Sequence, residues 1–124
     1  FENFKKNVVA SKVNLFNIIK KIKDKNKTIF GVGAPSRAST LINYLGLDQD
    51  IIDCVLEVNG SYKIGNYIPG TKIPILNENF LLKKKPNYLI LFSWHIKKEL
   101  KKNLKKKGFK GKFIIPLPKP KIEH

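Results

Sequence analysis

Apolar residues recur at three- and four-residue steps from the start of the chain: Phe4, Val8, Phe16, Ile19 and Ile22, joined by Val9, Val13 and Leu15. That spacing predicts an amphipathic helix over residues 2–23, with the polar stretch 24–27 as its exit. The period then changes. Thr28, Ile29, Phe30, Gly31 and Val32 make a short run that is apolar on both faces and bounded by glycine and proline, as a strand buried in a parallel sheet requires. A helix is predicted over 36–45, where Ala38, Leu41, Ile42 and Leu45 share a face and Gly46 stands at the stop. Residues 51–57 read as a second buried strand. Asn59, Gly60, Gly65 and the pair Pro69 and Gly70 then punctuate an irregular segment. Strands are predicted at 73–76, 88–92 and 113–115, and a helix at 94–107 aligns Ile96, Leu100 and Leu104.

Strands alternating with helices select an α/β fold, and right-handed crossovers then give a Rossmann-like three-layer αβα sandwich around a mainly parallel five-stranded sheet. The whole of 1–124 is expected to be one domain, with 1–24 as a leading helix. The prolines at 116, 118 and 120 predict that 116–124 is an extended tail along the surface. No apolar window reaches the roughly 18–20 residues of a bilayer span, and residues 1–3 lack the order of a signal peptide, so a cytoplasmic chain with no membrane partner is expected. The chain opens on Phe1 and contains no methionine, which predicts a fragment of a longer polypeptide. Glu123 and His124 have the look of the first letters of an expression tag.

The formal charge of +16 raises nucleic acid as a partner. Arg37, however, is the one arginine among 25 basic residues, and the lysines sit where a solvated helix face needs charge. Aromatic residues suited to base stacking do not interleave with them, which argues against nucleic acid. Cys54 stands alone within an apolar run, so neither a disulfide framework nor a zinc cluster is available, and it is expected to pack as a small hydrophobe.

Open parallel sheets bind ligands outside the carboxyl ends of their strands. The turn after the first predicted strand reads GVGAPSRAST over 31–40. Gly31 and Gly33 would permit a tight turn and close backbone approach, the free amides at the start of the helix, which follows Ala34 and has Pro35 and Ser36 at its head, would point toward an anion, and Arg37 would add a guanidinium. Glu57, ending the second strand, is placed to accept a ribose hydroxyl, which keeps nicotinamide binding by a free-standing nucleotide- or dinucleotide-binding module as an alternative. The third glycine position of a dinucleotide fingerprint is occupied by Ser36. Trp94 and His95 follow the fourth strand and would face the same crevice, while Lys63 and Tyr67 lie on the glycine-rich segment. No paired carboxylates, no nucleophile with its base and no metal cluster stand out, so no catalytic residue is assigned.

Four stretches carry a resemblance: GVGAPSRASTLINY at 31–44, GNYIPGTKIPI at 65–75, WH at 94–95 after an apolar strand, and IPLP at 115–118. In order and spacing they resemble the C-terminal domain of the sugar C-methyltransferase family. The family loop runs glycine, tyrosine, glycine, alanine, proline, alanine, lysine, glycine, asparagine, threonine. On that loop Gly31, Gly33, Ala34, Pro35 and Thr40 match, Arg37 keeps the cation, and Ser36, Ala38 and Ser39 depart from it. Glu57 stands for a usual aspartate, Lys63 matches a recurrent lysine, and His95 replaces an asparagine. The resemblance implies a zinc-bearing N-terminal domain and a central domain that binds S-adenosylmethionine and carries the catalytic histidine and tyrosine, both preceding this one. It implies for this domain a share in holding a nucleotide-linked keto-deoxysugar, with no cofactor of its own and no catalysis when isolated.

Overall fold

The computed structural model describes residues 2–33 and 35–124, though not the side chains of 2–5, 7, 8 and 35, so the packing expected of Phe4 and Val8 lies outside the described residues. Helix α1, Glu2–Asp24, leads into β1, Ile29–Val32, all four residues of which are buried. Helix α2 is Pro35–Leu45, opening on the proline whose fixed φ and missing N–H suit a first helical position. It ends at Gly46, whose φ of 69° is the left-handed stop that glycine adopts without a Cβ penalty. Then follow β2, Val55–Glu57, β3, Ile75–Asn77, and β4, Tyr88–Leu91. Helix α3, Lys97–Lys106, precedes β5, Lys112–Ile115, and β6, Lys121–Glu123.

The six strands run in the order β3-β2-β1-β4-β5-β6. All neighbours are parallel except β5 and β6. The α/β class and the mainly parallel sheet are as the sequence predicts, but five strands become six. Pro116, Pro118 and Pro120 withhold N–H groups only at their own positions, and beyond them Ile122 pairs with Ile114 and Glu123 with Phe113. Glu123 is therefore part of the folded sheet. The second strand is shorter than expected: Ile52 is buried, but its N–H is given to the carbonyl of Asp48, which makes residues 48–52 a turn. Ile73 likewise serves a hairpin-like excursion, its carbonyl accepting from the N–H of Ile68. A 3-10 helix, Glu78–Leu82, was not expected; the side chain of Asn77 caps it by accepting from the N–H of Asn79 at 2.8 Å.

Because strand side chains alternate, the core divides into two clusters. Ile29, Val55, Ile90, Phe92 and Ile114 pack with Leu15, Ile19 and Ile22 of α1 and Ala38 and Ile42 of α2. Phe30, Val32, Leu56, Leu89, Leu91 and Phe113 pack with Leu104 of α3 and Leu81 of the 3-10 helix. Full burial of each such aliphatic side chain contributes about 1.5–3 kcal/mol. Gly31 in β1 is where this packing is tightest. A Cβ there would lie 2.5 Å from the Phe92 ring and 3.0 Å from Cγ2 of Val55. Cys54 is buried in the second cluster, and burial, aided by the charge of Asp53, pushes its thiol up to about 12.

Candidate functional site

The carboxyl ends of β1, β2 and β4 converge, and a cavity of about 730 Å³ opens there. Its apolar wall is Val32, Leu56, Ile96, Leu100 and Leu104, contributed by the strand ends and α3. Its charged rim sets Lys63, Lys106 and Lys107 against Glu57 and Glu78. Lys107 and Glu78 are paired at 3.1 Å. Glu57 accepts from the N–H of Val58 at 3.2 Å, while Lys63 is anchored through its N–H, which donates to Ser61 Oγ at 3.3 Å.

Gly33 also borders this cavity, with a φ of 117° that an L side chain rarely adopts. A Cβ at Gly33 would come within 2.7 Å of Ser93 Oγ and 3.1 Å of the Ser93 nitrogen. The glycine turn after β1 is thus pressed against Ser93 beyond the end of β4, and this contact and the backbone angle both call for glycine. Among the described residues Ser93 is the one polar residue in the buried set, 8% exposed.

The remaining candidates collect on the α2 side. Arg37, Thr40, Leu41, Tyr44, Trp94 and Leu117 line a second hollow of about 220 Å³. Arg37 is exposed, with its Cζ 5.5 Å from the centroid of the Trp94 ring, and its Nη1 donates to Nδ1 of His95 at 2.8 Å. Trp94 and His95 meet edge to face at 6.4 Å. Thr40 Oγ1 donates to the Ser36 carbonyl within α2, and Ser36 itself is exposed. Ser39 Oγ donates to the carbonyl of Pro69 at 3.2 Å, and Asn43 Nδ2 donates to the same carbonyl at 3.0 Å. With Gly70 at φ 79° in the second central position of a turn closed by Thr71 N–H on the Ile68 carbonyl, this clamps α2 to the 65–75 excursion. Tyr67 lies on that excursion, 62% exposed and bridged to Pro74, away from both hollows' linings. Ala34 and the side chain of Pro35 lie outside the described residues.

Seven of the predicted residues fall into two groups, while Gly31, Ser36, Ser39 and Tyr67 line neither cavity. Gly33, Glu57 and Lys63 share the larger cavity; Arg37, Thr40, Trp94 and, through Arg37, His95 share the smaller one. The turn from Ser93 to Ile96 separates them, with Ser93 and Ile96 on one side and Trp94 on the other. Sequence reasoning missed Ser93, Lys106, Lys107, Tyr44 and Leu117. Lys106 and Lys107 were hidden within a run of lysines that the sequence assigns to a solvated helix face, and Leu117 within a proline tail.

A zinc ion does not fit these residues, since no group of three or more His, Cys, Asp or Glu side chains comes together among the described residues. No helix among the described residues is long and apolar enough to cross a membrane.

Fold and cavities together define an α/β domain whose hollows open at the carboxyl edge of a mainly parallel sheet. The chain belongs to the C-methyltransferase C-terminal domain family, whose profile matches residues 1–118. It is 32% identical over 99 residues to the C-methyltransferase NovU of Streptomyces niveus, an alignment that spans 77% of this chain and 23% of that protein. The chain thus covers about a quarter of the length of the curated relative it matches.

Proposed function

We propose that this Rossmann-like domain is the substrate-holding part of a cytoplasmic, S-adenosylmethionine-dependent C-methyltransferase, contributing to the pocket for a nucleotide-linked deoxysugar and supplying no catalytic group. Donor binding, the zinc site and the methyl-transfer residues belong on this reading to N-terminal and central domains of the same enzyme. The observation that carries it is the larger cavity. Its 730 Å³ falls in the range of small-molecule sites, and it combines an apolar wall with Lys63, Lys106 and Lys107 for a diphosphate and Glu57 for a sugar or ribose hydroxyl. Arg37 and Trp94, on the other side of the Ser93 turn, extend the contact surface with a guanidinium and an aromatic face.

The test is calorimetric titration of the intact enzyme with a nucleoside diphosphate deoxysugar. Lys63→Ala and Glu57→Gln should each weaken binding about tenfold, and Arg37→Ala by about 10- to 150-fold, the range for hydrogen bonds to charged groups. Arg37→Lys should recover part of that loss. Donor affinity should not change. Wild-type sugar-nucleotide affinity in all three variants would sink the reading. Glu57 also favours a second reading, a free-standing dinucleotide-binding module; tight binding of NAD by this chain alone, lost in Glu57→Gln, would select it.

A further inference from the structure

The environment of Arg37 is unusual in what it lacks. A guanidinium is ordinarily fixed by a carboxylate, which also cancels its charge. Here two neutral groups hold it: the Trp94 face at 5.5 Å and the imidazole Nδ1 of His95 at 2.8 Å. No carboxylate pairs with Arg37 or with His95 among the described residues. The guanidinium is thus oriented without being neutralised, which is how a cation is best kept ready for an anion.

The contact also fixes the state of the histidine. Arginine has only donors, so Nδ1 of His95 must carry the lone pair and Nε2 the proton. An imidazolium has donors on both nitrogens; it cannot accept from Arg37 and would set a second positive charge at hydrogen-bond distance. We infer that His95 is a positioning residue and a proton-operated latch: neutral, it holds Arg37 against Trp94 for a ligand phosphate, and on protonation it lets Arg37 go. The ligand part of this inference rests on the proposed function; the latch does not. Arg37 of α2 is the charged group bonded to His95, and Glu123 of β6, which meets Lys97 two residues on, is taken up by Lys97, Lys101 and Lys121.

The chain provides its own reporter, because Trp94 is its single tryptophan and His95 is one of two histidines. Tryptophan emission of the full chain should change through a one-proton transition within about pH 5–8, the range in which histidine ordinarily changes charge. His124→Asn should keep the transition. His95→Asn should abolish it while leaving Arg37 seated at every pH, since an asparagine Oδ1 occupies nearly the place of Nδ1 and accepts without titrating. Nitrogen NMR of the wild type at the basic end should find the His95 proton on Nε2. A flat wild-type titration, a transition that survives in His95→Asn, or a proton on Nδ1 would overturn the latch.

A second arm uses a nucleoside diphosphate deoxysugar, whose diphosphate keeps its charge over this range. Binding by the intact enzyme should depend on pH between about 8 and 5 in the wild type and hold level in His95→Asn, with Arg37→Ala weaker than the wild type by about tenfold or more at about pH 8. An emission transition with unchanged binding in Arg37→Ala would leave the latch standing and remove Arg37 from the ligand site.

Discussion

Replacing Glu123 by glutamine removes the charge at the centre of an ion cluster that ties β6 to α3. Its carboxylate meets Lys97 at 2.7 Å, Lys101 at 3.0 Å and Lys121 at 3.0 Å. The hydrogen bond from Lys97 is the largest cause, with those from Lys121 and Lys101 adding to it against the opposing cost of burial, and together they hold the carboxyl down from 4.5 to about 2. Taken at face value a displacement of that size corresponds to about 3 kcal/mol. The side chain is 20% exposed and its partners between 21% and 52%, so solvent screening brings the expected contribution to about 1 kcal/mol. The folded value lies below the unfolded one, so this stability is present above about pH 4.5 and is lost as pH falls through about 2. Urea unfolding of the wild type and Glu123→Gln, side by side, should give a gap of about 1 kcal/mol near neutral pH that closes toward about pH 2, with a melting difference of about 4–6 °C at the neutral end. A gap that stays constant from neutral pH to pH 2, or no gap at low ionic strength, would refute the reasoning.

Gly31→Ala should destabilise the chain by about 1–3 kcal/mol in denaturant unfolding, because the Phe92 ring blocks the new methyl group; an unchanged midpoint would mean that the ring moves freely. Cys54 should resist thiol reagents at about pH 8 in the folded chain and react promptly in denaturant, since its thiolate is both buried and disfavoured; rapid labelling without denaturant would show the second cluster to open readily. Binding to duplex DNA, followed by fluorescence anisotropy, should be weak, indifferent to sequence and gone at about 0.2 M salt, as surface lysines predict; selective binding that persists there would restore nucleic acid as a partner.

The parts of the fold legible in the sequence are those in which local pattern and burial agree. β1 could be read because Ile29 and Phe30 face opposite clusters and Gly31 sits between a ring and a valine. α2 could be read because Ala38, Ile42 and Leu45 face the sheet while Gly46 alone suits its left-handed exit. β6 could not: a lysine, an isoleucine and a glutamate after alternating prolines hold no apolar signal, and what fixes them is a ladder to β5 and lysines 22 and 26 residues away. The site shows the same division. Lys63 and Glu57 stand out by position on the chain, whereas Ser93 is notable only once its contact with Gly33 is known. Arg37 was conspicuous as a lone arginine, yet its partner His95 is 58 residues distant, and no local pattern joins them.

β6 also decides how this molecule meets its own copies. Without it β5 would be the last strand, offering Phe113, Ile114 and Ile115 with an open row of backbone donors and acceptors, an invitation to strand-to-strand stacking between molecules. The strand that covers this row is only three residues long, carries Lys121 on its exposed side and follows prolines that have no N–H to give. A chain shortened before Lys119 would keep both hydrophobic clusters and both hollows' strand ends, but it would acquire a sticky margin. Its solubility should then fall with concentration long before its fold is lost.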